Sequence, residues 1–263
     1  SYLKIFFLML CMILVSCTGQ KTGKENDNND KIAIEVGEIK FPPQDVLQLK
    51  SYYLSSSVHV DSIDYLIGYN YRLHSLDCMN LKSKSVTQIV LPGDGPDAIV
   101  RLSGIYAQSL DSVWISDESE RAFLIDSVGT IKRMIDLKKY LEDQEQLLIN
   151  TNYAMFTSHL FYNASRHSLM FLVKHTPSNT FIVKEAFIDE VGKMATYQLS
   201  SSKVVPDMSK GYAYINFPNV NFVGENIVYN YPVESSIYML DIRTNERKYI
   251  LADSHYTSNI IEK

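Results

Sequence analysis

The stretch Leu91–Leu137, LPGDGPDAIVRLSGIYAQSLDSVWISDESERAFLIDSVGTIKRMIDL, constrains the fold more than any other, because its short apolar runs are separated by turns that no helix tolerates. Gly93, Gly95 and Pro96 allow only a turn, since proline lacks an amide donor and glycine accepts positive φ. A strand follows over Ile99–Gln108, and its lack of clean alternation suits cover on both faces. Asp111 and Ser112 turn the chain into Val113–Ser116, where Trp114 and β-branched neighbours suit a pleated surface. After the polar loop Asp117–Glu120 come a third strand at Ala122–Ile125, a turn at Asp126–Gly129 with glycine at the left-handed position, and a fourth strand at Ile131–Leu137. Connections this short pair each strand with the next, so the stretch reads as one four-stranded antiparallel meander.

The same unit can be laid over the rest of the chain. Tyr65–Tyr69, Leu73–Leu76 and Val86–Leu91 form an earlier copy. Leu169–Val173, Phe181–Val183 extending towards Ile188, and Met194–Leu199 form a third. Ile227–Tyr229, Ile237–Leu240 and Arg247–Leu251 form a fourth. In each copy a strand ending in Asp (Asp77, Asp126, Asp189, Asp241) leads into a polar turn. Lys31–Ile39 alternates well enough for a further strand, ended by Pro42 and Pro43. Between Leu137 and Ile149 the residues Leu137, Tyr140, Leu141, Leu147 and Leu148 share one side of a helical wheel, which predicts a short helical insertion. The expected fold class is therefore all-β, a β-propeller of four-stranded antiparallel blades. About four blades fit between Tyr52 and Asp253, so the expectation is an incomplete ring, truncated at its C-terminal end.

The N-terminal residues carry a different signal. Ile5–Val15 is continuously apolar behind Lys4, too short to span a bilayer comfortably and of the length of a secretory signal core. It ends in Leu14-Val15-Ser16-Cys17, which resembles a bacterial lipobox. The resemblance implies a signal peptide over residues 1–16 and a lipidated Cys17. Thr18–Asp30 has no apolar side chain and reads as a tether, leaving residues 31–263 for the propeller domain. With Cys11 removed and Cys17 acylated, Cys78 stands alone and no intrachain disulfide is expected. The formal net charge of −5 and the lack of a basic stripe argue against nucleic acid as a partner.

The leader, GDGPDAI, DSVWIS, FYNASRHSLMFLVK, and YPVESSIYMLDI followed by DSHYT resemble an uncharacterised family of Bacteroidota lipoproteins, a domain of unknown function regarded as six-bladed-propeller-like. The GDGP turn and the blade after it also resemble NHL-type propeller repeats. These motifs are structural turns, so the resemblance implies a fold and a cell-envelope address, lipid-anchored to the outer membrane, and carries no catalytic residue.

Candidates for chemistry are few. Gly93–Ala98 has the letters of a dinucleotide fingerprint, but Pro96 and the strand after it replace the helix N-terminus such a site needs. His159, His167 and His175 recur at intervals of eight on different expected strands and loops, so metal ligation is not expected, and no cofactor is implied. Asp94, Asp97, Asp117, Glu118 and Glu120 read as turn-capping carboxylates. The aromatic run Tyr212, Tyr214, Phe217, Phe222, Tyr229, Tyr231 and Tyr238, interleaved with Asn216, Asn219, Asn221 and Asn230, is the most suggestive feature, and Tyr212, Tyr214, Asn216, Asn219, Tyr229 and Tyr231 are the candidate ligand-binding residues, because tyrosine beside asparagine suits stacking on sugars or contact with a protein. Two functions follow. The first is a binding module for a glycan, peptide or protein partner. The second is a propeller hydrolase or lyase acting on polysaccharide. Tyr and Asn at an exposed rim favour the first, and a converging cluster of carboxylates and histidine favours the second.

Overall fold

A computed structural model describes residues 37–42, 51–148, 160–203 and 217–252. Four antiparallel sheets follow one another along the chain. Blade 1 is β1 (Ser55–Val60), β2 (Ile63–Asn70), β3 (Ser75–Asn80) and β4 (Val86–Val90). Blade 2 is β5 (Leu102–Ser109), β6 (Ser112–Asp117), β7 (Arg121–Ile125) and β8 (Ile131–Asp136). Blade 3 contains β9 (Glu145–Leu147), β10 (Leu160–Asn163), β11 (Ser168–His175), β12 (Thr180–Phe187) and β13 (Met194–Gln198). There β9 and β10 share one edge of β11, pairing with Val173–His175 and Ser168–Phe171 respectively. Blade 4 is β14 (Asn219–Val223), β15 (Asn226–Asn230), β16 (Ser236–Asp241) and β17 (Arg247–Leu251). Within each blade sequence neighbours pair, as short turns require. Gly129, at φ +86°, makes the turn between β7 and β8. A side chain there would also run into the carbonyl of Val90, so the position demands glycine twice over.

The blades are held face to face by apolar layers. Ile67, Leu76 and Ile89 of blade 1 pack with Ile105, Val113 and Phe123 of blade 2. Trp114 and Ala122 of blade 2 pack with Leu160, Leu169 and Phe171 of blade 3. Met170, Leu172 and Phe181 of blade 3 pack with Val220, Ile227 and Tyr238 of blade 4. Each such side chain contributes roughly 1.5–3 kcal/mol by leaving water, so these layers are the main adhesive between sheets. Hydrogen bonds add register, as where the amide of Ala107 donates to Ser56 Oγ at 3.0 Å.

Among the described residues, blade 4 is covered on one side only. Its face towards blade 3 buries Val220, Ile227, Tyr229, Tyr238 and Leu240. On the opposite face Asn221, Val228, Met239 and Ile250 are all half-buried or exposed. The outer strand β17 is exposed along its whole length, whereas β4 and β13 each hold a buried residue. On this edge strand Tyr249, Ile250 and Leu251 are each more than half exposed.

Several expectations need correction. The helix expected over Leu137–Ile149 is a single 3-10 turn at Leu137–Tyr140 followed by β9. The apolar spacing there belongs to two separate pieces, because Gln144 takes φ +71° and Glu142 and Glu145 both turn onto Lys184. That lysine is wholly buried, with Nζ 2.9 Å from Glu142 and 3.0 Å from Glu145. The Asp repeat also divides. Asp126 and Asp241 cap their turns, accepting from Val128 and Thr130 and from Arg243 and Thr244, but the matching residue in blade 1 is Asn80, not Asp77. The innermost strands β1, β10 and β14 were not expected. Of Lys31–Ile39, residues 31–36 lie outside the described residues and Gly37–Ile39 form no strand. Residues 1–30, over which a signal peptide, a lipidated Cys17 and a tether are expected, also lie outside them.

Asp77 sits instead in mid-strand, fully buried. It accepts hydrogen bonds from Tyr52 (2.6 Å), Asn70 (2.9 Å) and Gln88 (2.9 Å). The Tyr52 ring lies against Gly68, where a Cβ would stand 2.5 Å from its Cγ. Burial, then the Asp77 carboxylate, pushes the Tyr52 phenol well above the usual range.

Candidate functional site

The innermost strands β1, β5, β10 and β14 border a common cavity of about 740 Å³. Strand alternation decides what it displays. Ser55 and Ser57 of β1, and Asn219 and Asn221 of β14, are exposed, while Val58 and Val220 turn into the interblade layers. Tyr106 and Phe161 supply rings from blades 2 and 3. The cavity continues along the open face of blade 4 through Val228, Asn230 and Ile237. Among the described residues its lining is hydroxyl, amide, phenol and hydrocarbon.

The residues singled out from the sequence are only partly brought together. Asn219 and Tyr229 line this cavity, and Asn219 Nδ2 lies 3.4 Å from Asn230 Oδ1. Tyr231 does not, and both tyrosines are core residues, 3% and 2% exposed respectively. The rings of Tyr229 and Tyr238 stack at 5.1 Å, and Tyr231 meets both edge-on. Their phenols clamp the chain after β13. Tyr229 Oη accepts from the Ser200 amide at 2.8 Å, and Tyr231 Oη donates to the Ser200 carbonyl at 2.9 Å. Burial raises the Tyr231 phenol far above the ordinary phenolic range. Burial, followed by its bond to Glu234, pushes the Tyr238 phenol up to about 12. The alternation read as a stacking platform is thus largely the packing of blade 3 on blade 4. Tyr212, Tyr214 and Asn216 lie outside the described residues.

Several of the other ionisable candidates are held in structural contacts, while Asp94 and Asp97 are exposed in their turn. Asp117 is fully buried, bonded to Arg121 Nη2 at 2.7 Å and to the amides of Val100, Ser119 and Arg121. Glu118 pairs with Arg101 and Glu120 with Lys138. His167 Nδ1 bonds Asp189, which also takes Arg133 from blade 2, and His175 Nδ1 bonds Ser178 at 2.6 Å. His167 and Arg133 together hold the Asp189 carboxyl below its usual range. His159 is outside the described residues, and among these no three metal-ligating side chains converge. The free Cys78 is buried, which pushes its thiol up to about 11, with Asp77 adding to the shift.

Sequence reasoning missed Ser55 and Ser57, whereas Asn221 and Asn230 of the interleaved run do line the cavity. The signal available was a polar residue at every second position, which marks a strand facing water rather than a loop.

No family model matches the chain, and no curated protein matches it. Solved structures do. The chain is similar to a member of the DUF4221 family from Bacteroides vulgatus, at 12% identity and a TM-score of 0.58, over 84% of this chain and 63% of that one. This likeness decides the architecture. The fold is a β-propeller. The propeller spans a little under two thirds of the length of that neighbour. It is more remotely similar to a structure in the nidogen/laminin complex (10% identity, TM-score 0.43, 74% of this chain and 61% of that one). It is also remotely similar to the WD40 domain of SCAP from fission yeast (9% identity, TM-score 0.41, 78% and 54%).

Proposed function

We propose that this chain is a propeller binding module of the cell envelope, held at the outer membrane by lipid on Cys17, whose central cavity takes a glycan, peptide or protein partner. The observation that carries the reading is the cavity lining. Serine hydroxyls, asparagine amides and the side chains of Tyr106 and Phe161 line one recess, a mixture that suits uncharged polar chains. Among the described residues, Asp117 is engaged with Arg121, and Asp189 with His167 and Arg133, away from this lining. The apolar run before Cys17 and the polar tether after it support the anchor.

Glycan-array and peptide-array screening of the full chain tests the cavity. Replacing Asn219 and Asn230 together by alanine should lower affinity for any captured ligand at least tenfold. Undiminished binding by that variant would move the site elsewhere, and turnover of the ligand by the pure protein would replace binding with catalysis. Cys17→Ser should abolish lipid labelling and release the protein from membranes, whereas unchanged labelling and fractionation would remove the anchor from the reading.

A further inference from the structure

Beside the central cavity a second recess of about 320 Å³ opens between blades 2, 3 and 4. Four aromatic rings line it: Tyr106 from β5, Phe161 and Tyr162 from β10, and Phe222 from β14. Phe161 and Phe222 lie 4.5 Å apart at 54°, and Tyr162 is fixed by stacking on Trp114 at 5.9 Å. The recess also contains one carboxylate, Glu225 on the turn from β14 to β15.

That carboxylate is poorly served. Ser165 Oγ reaches Glu225 Oε1 at 2.7 Å, but Asn163 Oδ1 lies 2.8 Å from the same hydroxyl, whose single proton serves only one acceptor fully. Glu225 Oε2 is buried and has no hydrogen-bond partner among the described residues. Arg166 senses the charge of Glu225, yet its guanidinium is bound through two nitrogens to Glu185, at 2.8 and 3.0 Å. A buried acceptor left unmet is costly, and native proteins rarely keep one without a use. Aromatic faces carry negative charge density, so the rings and the carboxylate oxygen favour the same kind of guest.

We propose that this recess binds an alkylammonium or guanidinium head, the end of a lysine or arginine side chain on a peptide partner. The inference rests on reading the central cavity as a binding face, with which the recess shares Tyr106, Phe161 and Asn221. The cation lies among the rings with its N–H groups turned towards the Glu225 carboxylate. The peptide backbone then runs towards the amides and hydroxyls of the larger cavity.

The test is calorimetric titration of the full chain with a blocked Gly-Arg-Gly tripeptide, its lysine analogue, its uncharged citrulline analogue, and glucosamine. The arginine and lysine peptides should bind at least tenfold more tightly than the citrulline peptide. Glu225→Gln should erase that preference while the unfolding temperature stays level or rises, because an unmet charge has been removed. Phe222→Leu should weaken both cationic peptides yet keep the preference. Equal binding of arginine and citrulline peptides, or an unchanged preference in Glu225→Gln, would overturn the proposal. Tighter binding of glucosamine than of either peptide would overturn the peptide assignment in favour of an amino sugar. If cations fail while a neutral ligand still binds through Asn219, only this inference falls; if the wild-type chain captures no glycan or peptide either, the binding-module reading falls with it.

Discussion

Gly68→Ala isolates one contact that fixes blade 1. In a strand interior alanine is normally the better residue, by roughly 0.5–1 kcal/mol. Here the new Cβ would stand 2.5 Å from Tyr52 Cγ and 2.9 Å from its Cε1, distances at which the ring must move. The ring is not free to do so, because its hydroxyl donates to the fully buried Asp77 at 2.6 Å. Overpacking costs about 1–3 kcal/mol, and breaking a hydrogen bond to a charged group about 1.5–3 kcal/mol. Set against the gain in strand propensity, a net destabilisation of about 2–4 kcal/mol is expected, a fall in Tm on the order of 10 °C for a domain of this size. Thermal and urea unfolding followed by circular dichroism should be run on Gly68→Ala, Tyr52→Ala and the double variant. Without the ring, the same alanine should be neutral or slightly stabilising, so the double-mutant cycle should return a coupling close to the full cost. An equal penalty in both backgrounds would refute the reasoning.

Two further expectations follow from buried and bridged charges. Arg166→Met leaves the buried Glu185 carboxylate with only the hydroxyls of Ser168 and Tyr197, and should destabilise the protein by about 3 kcal/mol, read from the urea midpoint. An unmoved midpoint would show that the hydroxyls alone suffice. The Lys132 ammonium beside Asp126, with the amides of Thr130 and Val128, holds that carboxyl at about 2 against an ordinary 3.8. Because the folded value is the lower one, the group stabilises fully above the ordinary value and its contribution disappears as pH falls through about 2. Asp126→Asn should therefore flatten the acid limb of a stability profile between those values, and an unaltered limb would assign acid sensitivity to other carboxylates.

Much of the blade pattern was legible because turns leave strong chemical marks. Strand β17 matches its expected bounds at both ends, and β6, β7 and β8 deviate by single residues, since Asp, Ser and Gly bracket each run. Of the innermost strands, β1 and β14 were not legible, for a reason tied to the site itself. Ser55 and Ser57, and Asn219 and Asn221, face the cavity, so their strands lack the hydrophobic share by which a strand is recognised. Tyr229 and Tyr231 misled in the opposite sense. A phenol is buried cheaply when a backbone group lies within reach, and nothing in the letters reveals that Ser200 supplies one to each. Glu225 carried no signal, because its isolation depends on three blades meeting around it.

Each blade draws its described strands from one stretch of the sequence, as from Ser55 to Val90 or from Leu102 to Asp136. No described sheet borrows a strand from a distant part of the sequence, and the apolar layers join each blade to its successor. As the polypeptide emerges from a ribosome or a translocation pore, blade 1 can therefore close its ladder before the residues of blade 2 exist. Every later blade then condenses on a finished surface, with little loop entropy lost at each step. Synthesis and folding thus share one direction. A whole blade can be gained or lost in descent by a single in-frame duplication or deletion, because no pairing elsewhere has to be rewired.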